Sequence, residues 1–326
     1  MGCVCPNFYK KSSDSTRRSS TSNAFDGSNA WPSGSSLSAI PMINLETYQA
    51  AQNGFVMRDM SHFGRFKVSG ADAATLLHHL TTQDIKGQKI GEAREAVLIS
   101  NKARVLDWLT ILRLETDVFR VITSPNRRAM FAPHAQKFVL FRQDVKIEDE
   151  TGAAPLWGAF GPKSNEITGE KWPTKRLPNS GLLSFEAPQN AVSCDNETFN
   201  VLRIEAGIPV AGLELTEEVN PWEAGFESAI SLAKGCYNGQ EIVARLHAYK
   251  KIKQGLFGLK LETLPLELPQ KLTKATKNAG FVTSAIESPR FGAIALGFVR
   301  GDFQTEGETL ELGEQEARVS LLPFDK

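Results

Sequence analysis

Lys234-Gly235-Cys236-Tyr237-Asn238-Gly239-Gln240-Glu241, running on into Ile242-Val243-Ala244-Arg245-Leu246-His247, is the stretch on which the reading of this chain turns. It gathers a thiol, a carboxylate, amides, an aromatic ring and two cations, with glycines on both sides of the thiol. Glycine admits backbone conformations closed to other residues, so the segment can turn sharply or approach a ligand. A cysteine near Lys234 and Arg245 can ionise at neutral pH, because nearby positive charge favours the thiolate. The opposing reading is a buried, inert side chain, the common fate of a cysteine outside a disulfide. Taken alone, the residue types favour the inert reading.

The octet resembles the Lys-Gly-Cys-Tyr-x-Gly-Gln-Glu signature of the YgfZ-type folate-binding proteins, relatives of the T protein of the glycine cleavage system. The T protein itself generally lacks this cysteine-containing octet. The resemblance makes Cys236 the functional thiol and places Tyr237 and Arg245 among the folate-binding residues. A second point of resemblance to the T-protein superfamily is Asp59-Met60-Ser61-His62-Phe63-Gly64-Arg65, followed by a Ser-Gly-Ala-Asp turn and Thr82-Gln83-Asp84-Ile85. A third is Arg203-Ile204-Glu205-Ala206-Gly207 with Asn220-Pro221-Trp222-Glu223-Ala224-Gly225. In the relatives such acidic groups hydrogen-bond the pterin ring, which implies that role for Glu205 and Glu223. A carboxylate suits the task because it accepts two parallel N–H bonds from an amino-pyrimidine edge. On spacing alone each would be an ordinary ion-pair partner. Arg104-Val105-Leu106-Asp107-Trp108 is similar to a site where the T protein carries adjacent Asp residues serving its folate chemistry. Here Asp107 remains and Trp108 takes the second position, so a catalytic role for Asp107 competes with that of a solvated strand residue.

Composition sets the outer bounds. A chain of 326 residues with 41% hydrophobic and 23% charged residues reads as soluble and globular. Lys+Arg and Asp+Glu balance at 37 each, so no whole-chain charge draws it to nucleic acid, and sequence-specific nucleic-acid binding is not expected. No apolar run approaches the roughly 20 residues that cross a bilayer. Cys3, Cys5, Cys194 and Cys236 form neither a disulfide framework nor a zinc pattern, which implies a reducing compartment: cytoplasm, or mitochondrial matrix or plastid in a eukaryote. Cys194 has no motif around it and reads as structural.

Residues 1–41 are Ser-rich, carry Arg17-Arg18 and lack spaced apolar residues, so the expectation is a disordered segment. Met1-Gly2-Cys3 opens like a myristoylation signal, but Pro6 occupies the hydroxyl position. A transit peptide is opposed by Asp14 and Asp26, and the leading expectation is that Met42 is the true start. Beyond it, helices are expected over Leu45 to Gln52, Ala71 to Leu80 and Pro125 to Gln143, the last with an apolar face of Met130, Phe131, Phe138, Val139 and Leu140. Strands are expected around Phe66 and Val68 after a polar loop, over Ala96 to Ser100, Val105 to Leu114 and Val118 to Thr123, and as an edge at Val145 to Glu148. A further unit begins at Leu156 to Phe160. Residues 161–195 read as loops and short strands, and a helix from Phe199 stops at Gly207. Tyr249-Lys250-Lys251-Ile252-Lys253 is a basic run suited to solvent, to a folate's glutamate tail or to an acidic partner. From Gly255 the pattern becomes short strands at Leu256 to Leu261, Gly280 to Ile286, Ala293 to Val299, Thr309 to Leu312 and Ala317 to Leu322, a small β-barrel.

The resemblance spans residues 42–326 and implies an α+β fold of the aminomethyltransferase-like, folate-binding kind, with a central channel and a C-terminal β-barrel. The expected division is 1–41, then 42–150 and 151–253 as two parts of the folate-binding body, then 254–326 as the barrel. The cofactor implied is tetrahydrofolate, with iron–sulfur client or assembly proteins as partners. The function implied is assistance to the assembly or repair of iron–sulfur enzymes, including those that thiomethylate tRNA. Two alternatives stay open: a folate-dependent aminomethyltransferase or other one-carbon transferase, and a scaffold that binds no ligand.

Overall fold

Helix α1 (Leu45–Asn53) starts where the Asn44 side chain accepts from the Thr47 N–H at 3.0 Å, an N-cap that satisfies one of the first-turn donors. The computed structural model describes residues 43–179, 181–189, 191–249 and 252–324, so the expectations for residues 1–41, Met42, Lys250 and Lys251 lie outside the described residues. After α1 comes strand β1 (Val56–Asp59), in a stretch whose sequence reads as a polar loop. Its inward positions are Val56 and Arg58, and the guanidinium of Arg58 lies 4.0 Å from the Phe199 ring centroid. A buried arginine thus masks the apolar alternation that sequence reading depends on.

Strand β2 (Arg65–Ser69), helix α2 (Ala73–Leu80) and strands β3 (Ala93–Ile99), β4 (Val105–Glu115) and β5 (Val118–Ile122) follow close to the expected bounds. Helix α3 (Arg128–Gln136) is shorter than expected. Beyond Gln136 the bonds become i→i−3, from Phe138 N to Ala135 O and from Val139 N to Gln136 O, so the helix tightens and unwinds. Met130, Phe131, Phe138 and Val139 reach the core, while Leu140 and Phe141 are exposed. Strand β6 (Lys146–Asp149) completes an antiparallel sheet of order β3-β4-β5-β2-β6, with β6 at its edge as expected. Phe66, Val68, Leu109, Ile111, Phe119 and Val121 of this sheet pack with Leu76, Leu77 and Leu80 of α2 and Phe131 of α3.

A second sheet is assembled from short pieces: β7 (Trp157–Phe160), β8 (Trp172–Pro173), β9 (Leu182–Ser184) and β10 (Val192–Ser193), in the order β10-β1-β7-β9-β8. Cys194 follows β10 and is buried, its thiol pushed up to about 12 by burial, in keeping with a structural place. Helices α4 (Asn196–Glu205) and α5 (Gln240–Ala248) precede the terminal barrel. The barrel closes as β11 (Gln254–Leu261), β14 (Gly292–Arg300), β13 (Lys277–Ser288), β12 (Gln270–Lys274), β15 (Thr309–Leu312) and β16 (Gln315–Ser320), every pair antiparallel. Strand β12 is absent from the sequence reading because Gln-Lys-Leu-Thr-Lys offers one apolar residue, Leu272, to the barrel interior. Among the described residues no helix is long and apolar enough to cross a membrane.

Buried polar clamps join barrel and body. Glu214 accepts from Thr283 Oγ1 at 2.9 Å and from Ser284 Oγ, and Arg203 Nη1 lies 3.4 Å from its carboxylate. At the C-terminal end of β13, Glu205 Oε1 accepts from Tyr48 Oη at 2.7 Å and Ser288 Oγ at 2.6 Å. One carboxylate therefore ties α1, α4 and the barrel together.

Candidate functional site

The octet is held against the end of α2. Lys234 is buried and its ammonium donates to the backbone carbonyls of His78, Thr81 (2.6 Å) and Gln83 (2.8 Å), while resting 4.6 Å from the Tyr237 ring centroid. A cation placed on the last carbonyls of a helix satisfies acceptors that the helix leaves open. Burial pushes the Lys234 ammonium down to about 7. The Asn238 N–H donates to the His79 carbonyl at 3.0 Å. Gly239 adopts φ +76°, and a Cβ there would lie 2.8 Å from the Ser100 carbonyl oxygen, so the turn into α5 requires glycine.

This anchoring presents Cys236 at the surface, which removes the buried-hydrophobe reading of that residue. Tyr237 turns the other way, into a cluster with Trp108, Trp222, Phe226 and Val243, and burial pushes its phenol up to about 12. Arg245 is exposed on α5. Trp222 Nε1 donates to the Val243 carbonyl at 2.9 Å, joining the segment that carries Glu223 to that helix.

Asp107 is buried, against the expectation of a solvated strand residue. Strand β4 is covered on both faces, by Leu109 and Ile111 in one cluster and Trp108 in another, which leaves no solvated position at its centre. The Asp107 carboxylate accepts from the Trp108 N–H at 2.8 Å and the Ser124 N–H at 3.0 Å, and Arg176 Nη2 lies 4.0 Å away. Burial raises its pKa against the opposing pull of Arg176. Arg176 is itself buried, with its guanidinium carbon 5.5 Å from the centroids of both Phe63 and Trp108.

Two adjoining cavities open beside this cluster. One, of about 420 Å³, lies against the barrel and is walled by Trp108, Ile208, Phe226, Leu256, Phe257 and Leu322 among others. The other, of about 650 Å³, has a mixed lining, with Gln83, Glu92, Arg94, Asn165 and Thr174 beside Pro173 and Leu182. Glu95, Lys175 and Ser228 line both, so the two form one crevice. At this junction Glu95 Oε1 accepts from Thr174 Oγ1 (2.7 Å) and the Lys175 N–H (3.1 Å), and burial raises its pKa. Lys175 Nζ donates to Ser228 Oγ at 2.7 Å.

The residues expected from sequence are distributed around this crevice rather than gathered in it. Glu223 is buried just behind the wall: its Oε2 accepts from the Asn220 N–H at 3.1 Å, burial raises its pKa, and its neighbours Ala224, Gly225 and Phe226 line the barrel-side chamber. Glu205 lines neither chamber, and its carboxylate serves the joint between α1 and the barrel. Sequence reading missed Glu95, Lys175, Arg176 and Ser228. Only Glu95 leaves a trace, as a charge directly before the apolar run Ala96 to Ile99. Among the described residues, no three His, Cys, Asp or Glu side chains are grouped to hold a metal ion.

Residues 5–182 match the family described as the GCVT N-terminal domain. The chain belongs to that family. A chloroplastic protein of Arabidopsis thaliana whose name reads "Putative transferase" is 30% identical over 318 residues, covering 86% of this chain and 73% of the relative. An aminomethyltransferase of Aquifex aeolicus is 27% identical over 313 residues, covering 84% of each. The crystal structure of the glycine cleavage system aminomethyltransferase T from Bartonella henselae matches with a TM-score of 0.73 at 21% identity, over 86% of this chain and 89% of that one. The family member described here thus has the mixed α+β fold of that structure, with its six-stranded antiparallel barrel at the C-terminal end.

Proposed function

We propose that the chain binds tetrahydrofolate in the crevice and, as a YgfZ-type protein, assists the assembly or repair of iron–sulfur enzymes, including those that thiomethylate tRNA. The observation that carries the ligand class is the barrel-side chamber, with its aromatic and aliphatic walls beside the Asn220–Phe226 segment. A volume of about 420 Å³ falls within the usual range for small-molecule sites, roughly 300–1,000 Å³, and the planar aminopyrimidinone ring of a reduced pterin stacks on indole and phenyl faces. Bound tetrahydrofolate supplies nitrogens that can take up or give a one-carbon unit. Trp108 and Phe226 hold the ring system, Glu223 shapes the wall from behind, and Tyr237 fixes the packing between crevice and octet. Membership of the GCVT N-terminal domain family supports this reading.

The iron–sulfur part rests on the octet. The surface position of Cys236 and the anchoring of its loop by Lys234 suit a thiol that acts on a partner protein. A one-carbon transferase is the second reading, favoured by the name of the Aquifex aeolicus relative. Weighing against it, the Asp107 carboxylate is occupied by two backbone N–H groups and is absent from both chamber walls.

Calorimetric titration of the full chain with tetrahydrofolate tests the ligand: saturable binding is expected, and a flat titration would remove it. In cells, Cys236→Ser is expected to abolish the activity of iron–sulfur tRNA-modifying enzymes at normal protein levels. Full complementation by that variant would remove the iron–sulfur role.

A further inference from the structure

Two cations line the crevice, Arg94 and Lys175, and their surroundings differ. Arg94 is spent within the fold: Nε pairs with Glu92 at 2.7 Å, and its other nitrogens donate to the Asp84 and Gly87 carbonyls. Lys175 is held only at its base, through its own N–H on Glu95, and its ammonium meets a neutral partner, Ser228 Oγ. Arg176 beside it is buried between Asp107 and Glu95 and reaches neither wall. Among the described residues the crevice therefore presents one cation without a carboxylate partner, at the point where its two chambers meet.

We propose that Lys175, with Ser228, binds the carboxylate of the glutamate tail when a reduced folate occupies the crevice, an inference that rests on the folate reading above. The chemistry follows from the two donors. A carboxylate arriving at the junction accepts from the Lys175 ammonium, and the Ser228 hydroxyl, released from accepting, turns to donate to its second oxygen. With the tail at the junction, the rings extend into the barrel-side chamber, where the aromatic walls are. Glu95 stands beside the junction with its oxygens engaged by Thr110, Thr174 and the Lys175 N–H, and the buried Arg176 charge that acts on it offsets its repulsion of an arriving carboxylate.

The test compares tetrahydrofolate with tetrahydropteroate, the same ring system without the glutamate, by calorimetry on the full chain and on Lys175→Met and Lys175→Arg. A charge-assisted bond of the usual strength corresponds to about tenfold in affinity. The unmodified chain is expected to prefer tetrahydrofolate by about that factor, Lys175→Met to lose the preference while binding tetrahydropteroate unchanged, and Lys175→Arg to recover most of it. Equal weakening of both ligands by Lys175→Met, or no weakening of either, would overturn the assignment while leaving the folate reading standing. Binding of neither ligand by the unmodified chain would overturn both.

Discussion

Glu205→Ala separates a structural carboxylate from a ligand-binding one. The wild-type side chain accepts two hydroxyl bonds on one oxygen, from Tyr48 at 2.7 Å and Ser288 at 2.6 Å, and all three residues are buried. A hydrogen bond to a charged group contributes roughly 1.5–3 kcal/mol, and a buried donor left without an acceptor costs about 1–3 kcal/mol. Two such bonds give roughly 3–6 kcal/mol, and the unfavourable burial of the carboxylate itself, visible in its raised pKa, brings the expected loss to about 3 kcal/mol. For a chain of this length that corresponds to a melting point lower by roughly 4–5 °C. Glu205→Gln keeps an oxygen acceptor and should cost roughly 1 kcal/mol. Scanning calorimetry gives the stability, and a double-mutant cycle with Tyr48→Phe should show non-additivity, since the two side chains share one bond. Tetrahydrofolate affinity well below the melting point is expected to stay within about twofold, because no ligand contact is removed. An unchanged melting point together with a tenfold loss of affinity would refute this reasoning and return Glu205 to the pterin.

Three further outcomes are expected. Iodoacetamide at neutral pH should label Cys236 well before Cys194, which is buried with its pKa pushed up to about 12, and bound tetrahydrofolate should change the Cys236 rate; equal labelling in peptide maps would contradict the exposure of the octet. Gly239→Ala places a Cβ 2.8 Å from the Ser100 carbonyl oxygen at a positive φ and should lower stability in urea by roughly 2 kcal/mol, whereas an unchanged midpoint would mean the turn relaxes freely. Burial lowers the His62 pKa from 6.5 to about 4, so between those values the unfolded chain binds the proton and the folded one does not. Relative to His62→Gln, the wild type should therefore lose stability as pH falls from 6.5 toward 4, and an imidazole resonance titrating near 6.5 would refute the assignment.

The sequence was most informative where burial follows a simple period. Strands β3, β4 and β5 and most barrel strands alternate or run apolar, and their bounds could be read within a few residues. Reading failed where a polar residue faces inward or an apolar one faces outward. Arg58 hid β1, the four polar residues around Leu272 hid β12, and Leu140 lengthened α3 on paper although it lies at the surface. Asp107 failed for a related reason, since its buried position depends on backbone donors at Trp108 and Ser124 and on Arg176, 69 residues onward in the chain. The crevice junction was beyond reach because Lys175 lies 80 residues from Glu95 and 53 from Ser228, in a segment without periodicity.

The octet was legible as a motif, but the work its residues do in the fold was not. Lys234 has the look of a cation that would activate the neighbouring thiol, yet its ammonium is buried on the carbonyls at the end of α2. Its charge fixes the loop on which Cys236 stands. Tyr237 then links that loop to the crevice, since it packs in the cluster that contains Trp108 and Phe226, both of which wall the barrel-side chamber. Close-packed side chains pass small displacements to their neighbours because there is no free volume to absorb them. A ring system that shifts Trp108 or Phe226 therefore loads the packing around Tyr237, adjacent in the chain to the exposed thiol. For a tetrahydrofolate bound as proposed, this packing is the physical route by which it would alter the reactivity of Cys236 at the surface.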